Sequence, residues 1–544
     1  MSVILFSTDG GLQIIFDAMK KWSVFILLFF VQLHIQPAFS QATQPPFAIS
    51  LEEMTYDDWS GLHSFAYGKW DNRWIIVCGR ADGLHAFLPP DPFPVTDANH
   101  FIRMYDPATG EQWSESIYNL PLDISNQLRS ANPQYFQRDN YLYVIGGYGK
   151  DSIGGNKITF PSLIAIDLDM LDDILMNDED PSPAFRKLED SLFQVCGGEI
   201  EILDDEIYLF GGHNFTGSYT KPATPSFTQQ YTNALRKFKL NDDGTTLSIS
   251  DAEIITDTIL FHRRDLNFEP IMFPDEEEGL AVYSGVFQHD GDFPWLHNIY
   301  FNNDGTYFED ISFQHKFNNY TCPVLSVFDS STNIFYATFF GGMSQYYFNE
   351  GDSTIEEDLN IPFINDITTL IRYADGTSEQ IVLPISFDAL LGSNAIFNLN
   401  ETIAHYHNGI IKLHELNGEY DAGYIYGGIK AFIPNFTPSI ASNRLFKVKI
   451  KHLPLMPEAI TDLENAIYIY PNPANDFITI ENNSAETFDR VILQNTLGEI
   501  VVEEMLDLHY KGSFNIDVGK FTSGVYFLKA SDADKMIVRK IIIE

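Results

Sequence analysis

Residues 206–212 read Glu-Ile-Tyr-Leu-Phe-Gly-Gly, a short apolar run that ends in a glycine doublet. Runs of this kind occur six times, and their final glycines are 57 to 86 residues apart. Aromatic and aliphatic residues alternate in several of them, as in strands buried on both faces, and glycines at a strand end permit a positive φ. The runs are Trp74–Gly79, Tyr141–Gly147, Glu206–Gly212, Gly279–Gly285, Ile334–Gly342 and Gly423–Gly428. Such a recurrence predicts a repeat fold.

The turns around these runs define the repeating unit. Upstream, a polar turn such as Leu203–Asp205 joins the run to another predicted strand. Downstream, several units have a turn that ends in glycine, as in Asp243-Gly244 and Asp304-Gly305. Asp-Gly favours the turns that match the twist of a β-sheet. Each unit is therefore predicted to form four antiparallel strands, which is one blade of a β-propeller.

A resemblance to the kelch repeat family rests on the glycine doublets and on residues 105–113. These residues read Tyr-Asp-Pro-Ala-Thr-Gly-Glu-Gln-Trp and look like the third strand, turn and Trp of a kelch unit. The resemblance covers about residues 47–453 and implies an all-β, six-bladed kelch-like propeller within residues 41–453. The later units lack the Trp, the fourth has Ser284-Gly285 as its doublet, and the period exceeds the usual length of about 50 residues. An irregular array of β-sandwiches is the alternative fold.

Closure of the ring is predicted from two strands that have no other partner in this scheme. Residues 47–51 form a strand that precedes the first unit, and residues 444–450 form the third strand of the sixth unit. Pairing the two would cover backbone groups that otherwise remain exposed at a sheet edge. We therefore expect the sixth blade to combine strands from both ends of the propeller.

The first 40 residues are predicted to be a secretory signal peptide. Lys20 and Lys21 precede the apolar run Val24–Val31, and Ala38-Phe39-Ser40 supplies small residues for cleavage after Ser40. Met19 is the expected start of translation, because residues 1–18 contain two aspartates but no lysine or arginine. The apolar run is too short for the alternative, a membrane-spanning helix. No transmembrane anchor is expected in the mature chain.

Prolines at 454 and 457 and acidic residues up to Glu464 predict a linker over residues 454–466. Residues 467–544 alternate apolar and polar side chains in short strands, which predicts a small β-sandwich. This module resembles the type A C-terminal sorting domain of the type IX secretion system of Bacteroidetes. The resemblance implies export across the outer membrane, then release or surface attachment, with the type IX machinery as partner. The residues that match the sorting signal are Pro471, Asn472, Pro473, Gly498, Gly524, Tyr526 and Lys540.

Composition excludes several classes of protein. The 544 residues have a formal net charge of −42, which disfavours binding to nucleic acid or to an anionic membrane. Yet 44% of the residues are hydrophobic and 14% aromatic, which is too much apolar material for a disordered acidic chain. Three cysteines are too few for a disulfide scaffold, and no CxxC pair suggests a metal site. The chain is therefore predicted to be folded and globular.

Candidate binding residues follow from counting back from the glycine doublets to the start of each unit, where propellers bind ligands at the channel mouth. Arginine and histidine at such places can bind an anionic or sugar ligand, although they can also hold the loops between blades. The favoured function is binding of a glycan or a protein partner. The candidates are His63, Arg129, Asn132, Arg264, Asn267, Glu269, His405 and His407.

No catalytic residue or metal ligand is predicted, because the sequence contains no HExxH or GxSxG motif. Whether the chain is an enzyme stays open, and a carbohydrate-active enzyme with its site at the channel mouth is one alternative. A structural surface protein without a small ligand is another. No cofactor is predicted. Calcium at an Asp-rich turn such as Asn302–Thr306 is left open, as is copper, which galactose oxidase binds on a kelch scaffold.

Overall fold

Nearly all strands pair with strands close to them in sequence, in small antiparallel sheets. A computed structural model describes residues 44–453 and 467–544, except 55, 57, 87–90, 220–226, 290, 350, 352, 436–437, 483–487, 497–498, 509–511 and 532–535. The proposed signal peptide and linker therefore lie outside the described residues, as does Gly498. Contacts divide the chain after His452 into two compact units.

The described residues of the first unit form thirty-two strands. In chain order they are β1 (Phe47–Met54), β2 (His63–Trp70), β3 (Arg73–Arg80), β4 (Phe101–Tyr105), β5 (Gln112–Ser116), β6 (Gln134–Arg138), β7 (Tyr141–Ile145), β8 (Tyr148–Lys150), β9 (Lys157–Thr159), β10 (Ser162–Asp167), β11 (Phe185–Glu189), β12 (Cys196–Leu203), β13 (Glu206–Gly217), β14 (Phe227–Tyr231), β15 (Ala234–Asp242), β16 (Leu247–Thr256), β17 (Asn267–Met272), β18 (Glu278–Tyr283), β19 (Ile299–Asn302), β20 (Tyr307–Glu309), β21 (Val324–Asp329), β22 (Ile334–Met343), β23 (Tyr346–Asn349), β24 (Thr354–Glu357), β25 (Phe363–Arg372), β26 (Ser378–Ser386), β27 (Ala395–Leu399), β28 (Ile411–Lys412), β29 (Glu419–Gly427), β30 (Ile429–Ala431), β31 (Ser439–Ala441) and β32 (Leu445–His452).

Helices are short and connect strands. The α-helices are α1 (Leu122–Gln127) and α2 (Leu168–Asn177). The 3-10 helices are Val95–Asp97, Ile117–Asn119, Ser182–Ala184, Ser191–Phe193, Pro274–Glu276 and Leu413–Glu415.

Six sheets of the first unit have four consecutive blade strands each, from the inner strand outward. They are β2-β3-β4-β5, β6-β7-β10-β11, β12-β13-β15-β16, β17-β18-β19-β20, β21-β22-β25-β26 and β27-β29-β32-β1. The predicted all-β propeller of six blades is therefore confirmed. Apolar side chains fill the space between neighbouring blades, as where Ile75 and Val77 of the first blade pack with Leu142 and Val144 of the second.

The sixth blade joins the two ends of the propeller, as the sequence predicts. β1 pairs with β32 in antiparallel register, with Phe47 opposite His452 and Met54 opposite Leu445. Phe47 and Ile49 are buried in the core of this blade. On the exposed side, two nitrogens of the Arg444 guanidinium each donate a hydrogen bond of 2.6 Å to Glu53. The ring is thus closed by both backbone pairing and side-chain contacts.

The doublets hold neighbouring blades together. Both residues of every doublet have a positive φ, between 56° and 99°, including Cys78-Gly79 and Ser284-Gly285. In five doublets the second residue donates its N–H to a carbonyl just ahead of the next inner strand in the ring. These bonds are Gly79 to Ser130 (2.8 Å), Gly147 to Val195 (2.9 Å), Gly212 to Arg263 (2.8 Å), Gly342 to Leu391 (2.8 Å) and Gly428 to Leu62 (2.8 Å). Only a left-handed backbone, which glycine adopts without steric cost, turns these groups toward the next blade.

The third blade carries an extension that the repeat pattern does not contain. β13 continues past its doublet to Gly217 and pairs there with β14 and with β9, which in turn pairs with β8. The extension places the aromatic residues Phe215 and Phe227 beside the end of the central channel.

The second unit is a small β-sandwich, as predicted. Its strands are β33 (Ile467–Tyr470), β34 (Phe477–Asn482), β35 (Phe488–Asn495), β36 (Ile500–Leu508), β37 (Ser513–Asp517), β38 (Gly524–Ser531) and β39 (Met536–Ile543). They form the sheets β33-β34-β37 and β36-β35-β38-β39. Alternate residues such as Ile478, Val491, Leu528 and Ile541 face inward and are buried between the sheets.

Candidate functional site

The inner strands of all six blades begin around one cavity of about 690 Å³, which we call the mouth. Each blade contributes a residue at the start of its inner strand or just before it. These residues are His63, Asn132, Cys196, Asp265, Thr321 and Asn394. The mouth therefore lies at one end of the propeller axis, where the sequence predicts a binding site.

A circle of backbone hydrogen bonds runs around the mouth. The N–H of one inner strand donates to a carbonyl of the preceding inner strand: Asn132 to Ser64 (3.2 Å), Gly197 to Asn132 (3.2 Å), Asp265 to Gly197 (2.8 Å), Asn394 to Thr321 (2.6 Å) and Ser64 to Asn394 (3.5 Å). The Thr321 hydroxyl donates to Leu266 at 3.3 Å and links the remaining pair of blades. Because every blade is tied to its neighbours here, the mouth is built on a preorganised frame.

Aromatic rings form much of the wall of the mouth. Phe215 stacks on Phe227 with ring centroids 4.8 Å apart, and the Tyr219 ring lies 5.8 Å from Phe227. On another side, His262 stacks between Tyr231 and His289 at 3.8 and 3.9 Å. These rings present flat apolar surfaces together with polar edges.

The two arginines of the mouth are each paired with a nearby aspartate. Arg80 donates two hydrogen bonds of 2.7 Å to Asp82, and Arg264 donates one of 2.9 Å to Asp265. Burial raises the pKa of Asp82, but the nearby His63 imidazole and the Arg80 guanidinium outweigh this effect and lower it to about 2. Burial lowers the pKa of Arg264, but the Asp265 carboxylate reverses this and raises it overall. The Arg80–Asp82 pair is therefore ionised at neutral pH, and its charges cancel. Burial raises the pKa of Asp265, and the Arg264 guanidinium beside it opposes this shift.

Three histidines of the mouth are neutral at pH 7. Burial lowers the pKa of His85 to about 4 and that of His262 to about 4. It also lowers the pKa of His213 well below its ordinary value. A neutral imidazole can donate one hydrogen bond and accept another, so these side chains add polar edges rather than charge.

Two buried polar atoms at the mouth lack a hydrogen-bond partner among the described residues. They are Nε2 of His63 and the Tyr320 hydroxyl oxygen. The nearest carboxylate oxygen to His63 Nε2 is 3.8 Å away, on Asp82. A buried polar atom without a partner is costly, and a bound ligand at the mouth would satisfy both.

The mouth continues into a central channel of about 410 Å³ that all six inner strands line. The two cavities share Ser64, Asn132, Asp265, Thr321 and Asn394. Deeper in, the channel wall contains Glu199, Glu201 and Glu269. Burial raises the pKa of Glu199 to about 8 and that of Glu201 to about 8, and burial with the two neighbouring carboxyls raises that of Glu269 well above its ordinary value.

Five of the eight residues selected from the sequence line this continuous space. His63 and Arg264 line the mouth, Asn132 lines both cavities, and Asn267 and Glu269 line the channel. Asn267 also ties two blades together, because its side-chain nitrogen donates to the Asn319 carbonyl at 2.8 Å. The cavity and the inter-blade contacts therefore use the same ring of residues.

Arg129 does not line either cavity. Its guanidinium donates to the Asn126 side chain and to the Ser125 carbonyl of α1, and it lies 5.4 Å from the centre of the Tyr118 ring. Arg129 and Arg264 each stand three residues before an asparagine in the sequence, but Arg129 contacts the end of a short helix and Arg264 faces the cavity. The expected rim role of Arg129 is therefore replaced by a structural one.

His405 and His407 lie in the connection after β27, beyond the far end of the sixth inner strand. His405 contacts the Ile403 carbonyl at 2.8 Å and Glu401 at 3.3 Å. His407 is 76% exposed, 3.2 Å from Glu278, and lines a further cavity of about 770 Å³ that shares Glu201 and Asn408 with the channel and contains none of the residues of the mouth. Counting residues back from the sixth doublet leads into an insertion between β27 and β29 instead of to the start of β27. Both histidines were therefore predicted at the mouth but lie at the opposite end of the inner strand.

Sequence reasoning missed most of the aromatic wall and both arginine–aspartate pairs. Phe215 and Phe227 belong to the extension of the third blade, which interrupts the repeat period. Arg80 directly follows the first doublet, so an alignment of the six units on their doublets could have identified it as a candidate. Within the described ranges, no three side chains among His, Cys, Asp and Glu are placed to hold a metal ion together.

The sorting-signal residues that the structure describes lie beside or within the final strand of the C-terminal unit. Asn472, between Pro471 and Pro473, donates from its side chain to the Lys540 carbonyl and accepts from the Ile542 N–H, both at 2.8 Å. Gly524 begins β38, and the buried Tyr526 donates to the Thr522 carbonyl at 2.9 Å. The motif thus fastens the start of this unit to β39.

Residues 468–544 match a family described as "Secretion system C-terminal sorting domain". A solved structure titled "Structure of YjhT" is 10% identical and aligns with 72% of this chain and 100% of its own, at a TM-score of 0.39. No curated protein matches the chain. In the part of the chain that the structure describes, no helix is long and apolar enough to cross a bilayer. The C-terminal unit is thus a type IX sorting domain, which engages the type IX machinery, and the protein is exported to the cell surface or beyond it.

Proposed function

We propose that the exported protein is a kelch-type propeller that binds a neutral glycan at the mouth. The kelch assignment is supported by the doublets and by the turn over residues 106–110, where Gly110 donates to the Asp106 carbonyl at 2.8 Å. The glycan assignment is supported above all by the wall of the mouth, which combines aromatic faces with neutral polar edges. Export to the cell surface or the medium gives such a site access to extracellular polysaccharides and glycoproteins.

Carbohydrates combine weakly apolar ring faces with many hydroxyl groups. The stacked rings of Phe215 and Phe227 provide a flat surface for the C–H face of a sugar. The unpaired His63 and Tyr320 atoms provide hydrogen bonds for its hydroxyls. A cavity of about 690 Å³ accommodates one or two sugar residues.

The paired charges favour a neutral sugar over an anionic one. A ligand carboxylate or sulfate at Arg80 or Arg264 would compete with Asp82 or Asp265, which already bond these guanidiniums at 2.7 and 2.9 Å. Such an anion would also leave the displaced aspartate without its partner, at a cost of about 1–3 kcal/mol or more. The mouth therefore selects hydroxyl groups rather than negative charge.

A glycan array probed with the full mature chain tests this proposal. Tyr320→Phe removes only the unpaired hydroxyl and should weaken binding of the preferred sugar about tenfold. Phe308→Ala is a matched control, because Phe308 is an exposed aromatic residue on the outer strand of the fourth blade. Exclusive binding of sulfated or uronic-acid glycans, or equal binding by Tyr320→Phe, would contradict a neutral-glycan site.

A further inference from the structure

The side chains of Glu199, Glu201 and Glu269 line the same channel. Glu199 and Glu201 are two residues apart on β12, so their side chains point to the same side of the strand, while Ile200 between them is buried in the core. Glu269 occupies the middle of β17, the next inner strand. All three line the channel beneath the mouth.

None of these carboxyls takes part in an ion pair found among the described residues. Lys69 also lines the channel, but its ammonium bonds to Glu401 and to the Leu399 carbonyl. Burial is the main reason that ionisation of the three groups is opposed, and the neighbouring carboxyls add to this effect for Glu199 and Glu269. The other titratable groups that face it are Tyr67, Tyr135, Lys69, Glu401, Asp265 and Cys322.

A separate observation on another blade indicates a vacant hydrogen-bonding position. Ser326 on β21 is only 8% exposed, and its hydroxyl oxygen has no hydrogen-bond partner among the described residues. Ser326 and Val324 line the channel, whereas the alternate residues Leu325 and Val327 pack into the core. The unpaired hydroxyl therefore points into the same channel as the three carboxyls.

We propose that the channel binds a primary alkylammonium group, held by Glu199, Glu201 and Glu269 with Ser326 as a further acceptor. An ammonium head carries one positive charge and three N–H donors. It would neutralise part of the cluster and occupy several acceptors, while its alkyl chain extends along the channel. The class of ligand is an amine, such as the side chain of a lysine or the amino group of an amino sugar. This site does not depend on glycan binding at the mouth.

Isothermal titration calorimetry of the full chain with n-butylammonium chloride tests the proposal. We expect saturable binding with a Kd of about 0.1–1 mM, as for a very small ligand. The carboxyls retain protons at pH 7, so a bound cation should expel a proton, and the apparent enthalpy should depend on the ionisation enthalpy of the buffer. Affinity should fall as the pH is lowered from 8 to 6, because protonation of the carboxyls then competes with binding.

Isosteric variants locate the site. Glu199→Gln and Glu269→Gln should each weaken binding about tenfold and reduce proton release, without lowering the melting temperature. Glu253→Gln is the matched control, because Glu253 is an exposed residue of the outer strand β16 and should not affect binding. Tyr320→Phe should leave ammonium binding intact, which separates this proposal from the neutral-glycan proposal.

Several results would overturn the proposal. Absence of a binding signal at 20 mM n-butylammonium, roughly twentyfold above the weakest expected Kd, would do so. Tetramethylammonium, which has no N–H donor, should bind more weakly, so equal affinity would show that acceptor geometry plays no part. Calcium that binds and displaces n-butylammonium with proton release would reassign the carboxyls to a metal.

Discussion

Replacing Gly146 with alanine should destabilise the propeller by disturbing the junction between its second and third blades. Gly146 is the first residue of the second doublet and has a φ of +65°. A Cβ atom at this position would lie 2.0 Å from the Val195 carbonyl oxygen and 2.8 Å from that of Phe193. Both oxygens belong to the backbone, so the contact cannot be relieved by rotating a side chain.

The expected loss has two parts. An L-residue in the left-handed region costs about 1–2 kcal/mol. The overlap with Val195 forces a backbone shift, for which overpacking in cores suggests about 1–3 kcal/mol more. The shift also stretches the 2.9 Å bond that Gly147 donates to the same carbonyl. The total is therefore about 2–5 kcal/mol.

Gly155→Ala measures the cost of the left-handed backbone alone, without the overlap with a neighbouring blade. Gly155 has a φ of +78° in the β8–β9 turn, and a Cβ there would meet no atom within 4 Å. Urea titrations of both variants should show a loss of about 1–2 kcal/mol for Gly155→Ala and a clearly larger loss for Gly146→Ala. Equal losses would refute the argument that the approach of the next blade requires glycine in the doublet.

Three further predictions concern closure, acid stability and sorting. Deletion of residues 47–54 should markedly lower the melting temperature of the propeller, and an unchanged melting curve would count against closure by β1. Burial lowers the pKa of His315 from 6.5 to about 3. Between these pH values the unfolded chain therefore binds a proton at this histidine that the native state does not bind. The free energy of unfolding should then fall by about 1.4 kcal/mol per pH unit as the pH drops from 6.5 toward 3. In urea titrations His315→Phe should reduce this dependence on pH, and an unchanged dependence would contradict the role of His315. Asn472→Ala removes both hydrogen bonds to β39 and should reduce the exported fraction of the protein, measured by immunoblotting of culture medium and cell surface. Asn515→Ala, at an exposed position, should not reduce it. Equal export of the two variants would contradict the role of Asn472.

The blades could be predicted from the sequence because their determinants are local. Alternating apolar residues and glycine doublets such as Gly211-Gly212 report strand burial and backbone conformation without reference to distant residues. Closure by β1 was also predictable, because a strand without a partner in its own repeat must find one elsewhere. These features are repeated, so each copy supports the interpretation of the others.

The functional site was less predictable because insertions carry much of it. His407 illustrates one difficulty. It was chosen by counting residues back from the sixth doublet, and an insertion within the sixth blade made that count end at the wrong place. Phe227 illustrates the second, because its strand lies outside the repeat and reaches the mouth only through pairing with β13. Arg129 illustrates the third, since a matching sequence spacing does not specify the direction of a side chain.

The pairing of Phe47 with His452 imposes an order on assembly. β1 leaves the ribosome long before its partner β32, because about 400 residues separate the two strands and must be synthesised before they can pair. Until then the sixth blade of the nascent propeller lacks one strand. Contacts between residues so far apart in sequence form slowly. Folding of the protein therefore has a built-in delay, because the last backbone pairing waits for the end of the propeller to be synthesised.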